Sequence, residues 1–167
     1  MKIKISQQAS RSDRLIVALV CLPLSSTAGF VLNTHDSGPG SLRQALAEAA
    51  PGETITFAPA LAGATISLSS GHLHIDRSLS VDASALAFPV TIDAGDAPNP
   101  QRVLLIGRYT TVLLDSLIIS GGRTVDSSHP FVAEYLGDHK EIFEPGDGGG
   151  IHNSGILTVR HCVIRGN

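Results

Sequence analysis

Four aspartates and three arginines are the side chains of this 167-residue chain whose types and spacing could do chemistry. Asp76, Asp82, Asp93 and Asp96 follow one another closely, with Arg77, Arg102 and Arg108 as basic neighbours. Two reactions need such a set. Hydrolysis of a sugar linkage takes two carboxylates about 5–10 Å apart across the bond. Elimination from a uronate takes acids that hold Ca²⁺ beside a base that removes a proton. Asp82 and Asp93 each follow an apolar, strand-like residue (Val81, Ile92), so both are expected to project outward on adjacent layers of strands, and they are the catalytic candidates. Aspartate at a strand end is equally an ordinary turn former that bonds its own backbone, and spacing alone leaves both readings open.

His72 and His74 are the nearest approach to a metal motif. Alternate residues of a strand share a face, so with Leu73 and Ile75 inward both imidazoles would point outward. Two histidines without a third ligand make a weak site. His35, His129, His139, His152 and His161 form no readable cluster. Cys162 lies in an apolar alternation with no histidine placed to activate it, which fits a buried small hydrophobe rather than a nucleophile. Apart from Ca²⁺ at the acids, no cofactor is implied.

The elements that would carry these residues announce themselves by repetition. Thr111–Gly122 and Ile156–Asn167 look alike 45 positions apart: Val112, Leu114, Leu117, Ile119 and Gly121 align with Leu157, Val159, Cys162, Ile164 and Gly166. Each copy is apolar alternation in two short bursts followed by a glycine turn, and such a unit buries its apolar face only by stacking on a neighbour. Further short strands are expected at 30–33, 54–57, 65–68, 73–75, 79–81, 90–92, 103–106 and 112–114, separated by Gly, Pro, Asn or Asp. Hairpins in a sandwich or barrel would fit the same spacing. A coil of parallel strands fits better, because the repeat pairs like with like and no linker carries a two-residue hairpin turn such as Asn-Gly.

One helix stands out, from Ser41 as N-cap to about Ala50, with Leu42, Ala45, Leu46 and Ala49 on one face and Pro51-Gly52 ending it. With the strand before it, it makes a capping region over 29–52, ahead of the strand layers of 53–167. The stretch from about 123 to 147 breaks the pattern with Glu134, Asp138, Glu141, Glu144 and Asp147, and is expected to be an inserted acidic loop.

Residues 1–28 have the form of an export signal. Lys2, Lys4, Arg11 and Arg14 precede the apolar run Leu15–Leu24, and Ser26 and Ala28 suit cleavage between Ala28 and Gly29. Removal takes away four cations and one acid (Asp13), moving the formal charge from −3 to −6. Export and acidity argue against nucleic acid as a partner. A secreted or cell-surface location is expected.

Asp36-Ser-Gly-Pro-Gly-Ser-Leu-Arg-Gln-Ala45, then Pro51-Gly-Glu-Thr-Ile-Thr-Phe57, then Gly148-Gly-Gly-Ile-His-Asn-Ser-Gly-Ile-Leu-Thr-Val159, in this order, resemble the N-terminal part of bacterial secreted and surface right-handed parallel β-helix proteins, whose opening carries a Cys-Ser-Leu-Arg-Glu-Ala type motif. Gly40 and Gln44 stand where that family has Cys and Glu. The group is related to polymorphic outer-membrane proteins and autotransporter-like adhesins. The resemblance implies an all-β parallel β-helix with a short capping helix, acting without catalysis in adhesion, scaffolding or contact with extracellular polysaccharide or another cell's surface. The alternative it leaves is a polysaccharide lyase or glycoside hydrolase on the same scaffold. The last layer ends without a cap, from which truncation and end-to-end self-association are expected.

Overall fold

Alternation of apolar and polar residues sets the strands. A computed structural model describes residues 29–95, 100–124, 132–136, 139–143 and 148–167, with 132–136 and 139–143 described through their backbone alone. In chain order the elements are β1 (Phe30–Val31), helix α1 (Leu42–Glu48), β2 (Thr54–Phe57), β3 (Thr65–Ser67), β4 (Leu73–Ile75), β5 (Leu79–Asp82), β6 (Val90–Asp93) and β7 (Leu104–Ile106). There follow β8 (Thr111–Asp115), β9 (Leu117–Ser120), β10 (Val132–Leu136), β11 (His139–Phe143), β12 (Ile151–Asn153), β13 (Ile156–Arg160) and β14 (Val163–Arg165).

Twelve of these strands form three sheets in which every pairing is parallel: β1-β2-β5-β8-β13, β4-β7-β12 and β3-β6-β9-β14. Within these sheets the only consecutive strands that pair are β1 and β2, which α1 separates in the chain. From β2 onward the chain visits the first, third and second sheets in rotation, interrupted only by β10 and β11. The protein is therefore all-β with parallel sheets, as the repeat implied, and hairpin pairing is confined to β10–β11 among the described residues.

Strand neighbours lie a whole circuit apart in sequence. Phe30 pairs with Thr56 and Thr54 with Ser80, a separation of 26, whereas Val112 pairs with Leu157 and Ile119 with Ile164, a separation of 45. Those last two pairs are the ones the sequence repeat aligned. Parallel stacking puts like on like, so inward residues form columns: Ile55–Val81–Leu114 in the first sheet and Ile66–Ile92–Ile119 in the third, all at most 2% exposed. Each such side chain contributes about 1.5–3 kcal/mol on burial. Columns of branched aliphatics leave little use for large rings, which explains the scarcity of aromatics.

Helix α1 presents Leu42, Ala45 and Leu46 inward, and Ala49 is buried beside them, so the expected face is the observed one. It packs against β1 and β4. Ser41 caps it, its Oγ accepting from the Gln44 amide at 3.2 Å, and Gln44 Oε1 reaches back to the Gly40 amide at 2.8 Å. This is a capping box displaced by one residue.

The structure modifies some expectations. The first strand stops at Val31 because Leu32 and Asn33 turn their amides onto the Gly40 carbonyl (2.8 and 3.2 Å). The stretch expected to be a loop holds the antiparallel pair β10–β11, with Glu134 opposite Glu141 and Tyr135 opposite Lys140 in register. Residues 1–28, where an export signal with cleavage after Ala28 is expected, and Asp96, Asp138, Glu144 and Asp147 lie outside the described residues. Among the described residues no helix is long and apolar enough to cross a membrane.

Candidate functional site

Asp82 and Asp93 end successive strands but belong to different sheets, β5 to the first and β6 to the third. In the first sheet Asp82 lies beside Asp115, and Asp115 beside Arg160; in the third, Asp93 lies between Ser67 and Ser120. Both aspartates are on the outer face, as the alternation predicts, but not on adjacent layers of one sheet. The reason is the rotation of the chain, which sends each successive strand to a new sheet. Each also bonds locally: Asp82 Oδ1 accepts from the Ser84 amide (2.8 Å), and Asp93 accepts from the Gly95 amide (3.1 Å) and from Ser120 Oγ (2.6 Å). The turn-forming role is the one the geometry displays.

Asp76 and Arg77 pair with each other at 2.8 Å, and Arg77 Nη1 donates to the carbonyls of Ala47 (3.3 Å) and Ala49 (3.0 Å). Arg77 thus caps the C-terminal carbonyls of α1, where a cation is favoured. Its hydrogen bond holds the Asp76 carboxyl below the usual aspartate range against the opposing effect of burial. Arg102 is half-buried and engaged, and Arg108 is exposed.

His72 and His74 flank buried Leu73 and are themselves half-buried. Among the described residues no three His, Cys, Asp or Glu side chains converge to hold a metal ion. His74 and His152 lie on either side of Leu105, an outward residue that is nevertheless 0% exposed. The middle of this outer face is covered.

One polar cluster surrounds Asp115. His161 Nδ1 lies 3.0 Å from its Oδ1, Arg160 Nη2 lies 3.0 Å from its Oδ2, and Ser116 Oγ donates to Oδ1 at 3.0 Å. The His161 hydrogen bond first, then Ser116 and the Arg160 charge, outweigh burial and hold the carboxyl below the ordinary range. Asp, His and Ser occur together here without the arrangement of a nucleophilic triad. Ser116 donates to the aspartate, whereas an activated serine donates to the imidazole. An aspartate held ionised does not donate the proton that sugar cleavage requires. Ser116 and His161 both have left-handed backbones (φ 58° and 51°) at the corner between the first and third sheets, one circuit apart. The sequence repeat already aligned Asp115 with Arg160, and that alignment was the available signal for this cluster.

A second cluster locks the N-terminal region. Asp36 accepts from the Ser69 and Ser70 amides (3.2 and 2.8 Å), from both of their hydroxyls, and from Arg43 Nη2 (2.6 Å). Arg43 also donates to the Asp36, His72 and Gly71 carbonyls at 3.1, 2.8 and 2.7 Å. Burial works to raise the Asp36 pKa, but the bonds from Ser70, Arg43 and Ser69 and the Arg43 charge prevail and hold it at about 2. The Ser-Leu-Arg motif is thus a clamp: Ser41 starts the helix, Leu42 enters the core, and Arg43 ties the helix to the turn before β4.

Cys162 is half-buried, its Sγ accepting from the Leu117 amide at 3.4 Å, and burial pushes its thiol pKa up. No family model, curated protein or solved structure matches this chain.

Proposed function

We propose that the chain is an exported, non-catalytic module, a right-handed parallel β-helix whose outer faces act in surface attachment, polysaccharide contact or scaffolding. The observation that carries the coil is the rotation of strands through three parallel sheets, with like residues stacked a circuit apart. Right-handedness follows from the strong preference of parallel crossover connections. The non-catalytic reading is supported by the polar clusters. The described aspartates are engaged in turns or in ion pairs, and Asp36 and Asp115 are held ionised rather than tuned as proton donors.

The test combines location and chemistry. The full chain, expressed in a bacterial host, is expected outside the cytoplasm with Gly29 at its N-terminus; retention inside with Met1 intact contradicts export. The exported chain is then passed over immobilised polygalacturonate and a neutral glucan, with and without Ca²⁺. Retention on either polymer without release of shortened or unsaturated sugars is expected. Sugar release would instead favour a lyase or glycoside hydrolase, and absence of retention on both would remove the polysaccharide contact.

A further inference from the structure

Gly29 is buried at the start of the first sheet, its carbonyl accepting from the Thr56 amide at 2.7 Å. Its backbone is left-handed (φ 85°), and a Cβ there would meet Glu53 Oε1 at 2.5 Å, the Thr54 carbonyl oxygen at 3.1 Å and Glu53 Cδ at 3.2 Å. Only glycine fits this place without strain. The groups that crowd it are a carboxylate and a carbonyl, so the surroundings of the Gly29 Cα favour positive charge.

Glu53 is set in position by the turn after α1. Its Oε2 accepts from the Ala50 amide at 2.6 Å, its own amide donates to the Ala50 carbonyl at 3.0 Å, and its carbonyl accepts from the Ser80 amide at 2.9 Å. Oε1 is the oxygen that turns to Gly29. Charged side chains on the elements around it are engaged elsewhere. On α1, Arg43 is paired with Asp36, and Glu48 accepts from Gln44 Nε2 at 2.8 Å. Arg77 is paired with Asp76 and caps α1, and Asp82 on β5 bonds the Ser84 amide. β1 and β2 carry no charge of their own.

Within an uncut chain the Gly29 nitrogen is a neutral amide. A cut ahead of Gly29 turns that nitrogen, bonded to the same Cα that faces Glu53, into an α-ammonium. We infer that processing completes the N-terminal cap: the α-ammonium left on Gly29 by removal of residues 1–28 forms an ion pair with Glu53 and ties β1 to the turn after α1. The inference rests on the export reading above and adds to it a receptor for the new terminus. A chain end is poorly ordered unless something holds it, and β1, only Phe30–Val31, has little hold of its own.

The exported chain is made as Lys140→Arg, which leaves the α-amine as the only primary amine once residues 1–28 are gone. Its reaction with a small amine-reactive aryl fluoride is followed across pH, with the same chain unfolded in urea as control. The amine is expected to lose its proton at higher pH in the folded chain, so that labelling at neutral pH is about tenfold slower than in the control. Glu53→Gln keeps an acceptor for the Ala50 amide and is expected to return the pH profile to that of the control, whereas Glu48→Gln is expected to leave it shifted. Acetylation of the amine is expected to lower the urea midpoint of the parent and not that of Glu53→Gln. A profile equal to that of the control, a shift that survives Glu53→Gln, or a cut elsewhere than before Gly29 overturns this proposal and leaves the export reading standing. A chain that keeps Met1 overturns both.

Discussion

Leu114 and Val159 occupy the same register position one circuit apart, as do Ile119 and Ile164, yet the first of each pair is buried and the second open. The local sequences are alike, so the strand pattern does not itself create a core. It prepares a face that the next layer covers. β8 and β9 lie between neighbours on both sides, whereas β13 and β14 have theirs on one. The lesson is that stability here is assigned layer by layer, as in proteins whose units contact only adjacent units.

The largest effect should come from the same truncation made in both layers. Leu114→Ala is expected to cost about 2–5 kcal/mol, since it empties a closed column. Val159→Ala should cost below about 1 kcal/mol, because solvent already reaches that side chain. Denaturant unfolding of the two variants checks this, and equal losses would break the comparison.

The N-terminal region shows the contrasting solution, in which a polar clamp and a helix close the layers. Arg43→Ala removes bonds to four acceptors at once and leaves Asp36 without its ion-pair partner, an expected loss of about 2–3 kcal/mol. Its mark is loss of amide protection in α1 and β4, with β8 and β9 retaining theirs under native hydrogen exchange.

Acid should act at the same place. Because the folded Asp36 pKa of about 2 lies below its ordinary value of 3.8, its stabilisation is fully present above that value and is lost as pH falls through about 2. The contribution at neutral pH is about 2 kcal/mol. Unfolding midpoints at pH 5 and pH 2 should therefore differ less for Asp36→Asn than for the parent chain.

Sequence carried a good part of this. The 45-residue repeat gave the β8–β13 and β9–β14 registers, and the apolar face of α1 was readable from its spacing. Arg43 was seen only as part of a resembled motif, because its carbonyl partners Gly71 and His72 lie 28 and 29 residues away. Asp82 and Asp93 were grouped by closeness in sequence, whereas closeness in space here means a circuit of 26 residues or more. Corner residues were missed as well, since Tyr109, Ser116 and His161 hold left-handed backbones in slots that glycine would fill without strain.

Tyr109 offers the smallest test. It is 99% exposed with φ 61°, so Tyr109→Gly relieves left-handed strain of about 1–2 kcal/mol while adding freedom to the unfolded chain. A net gain of about 0.5 kcal/mol is expected in thermal unfolding. A loss would mean that this corner is covered like β8 and not open like β13.

The stacking of strands a circuit apart is tested most directly by engineered cross-linking in a chain with both native cysteines replaced by serine. Ser80 and Leu113 are register partners on β5 and β8. Neighbouring strands lie about 4.8 Å apart, within disulfide range. Ser80→Cys with Leu113→Cys is expected to form a disulfide rapidly in the folded chain, and Ser80→Cys with Thr91→Cys, which joins successive strands β5 and β6, is expected not to. The reverse outcome, a bridge between 80 and 91 and none between 80 and 113, would mean that consecutive strands pair as hairpins and would contradict the account.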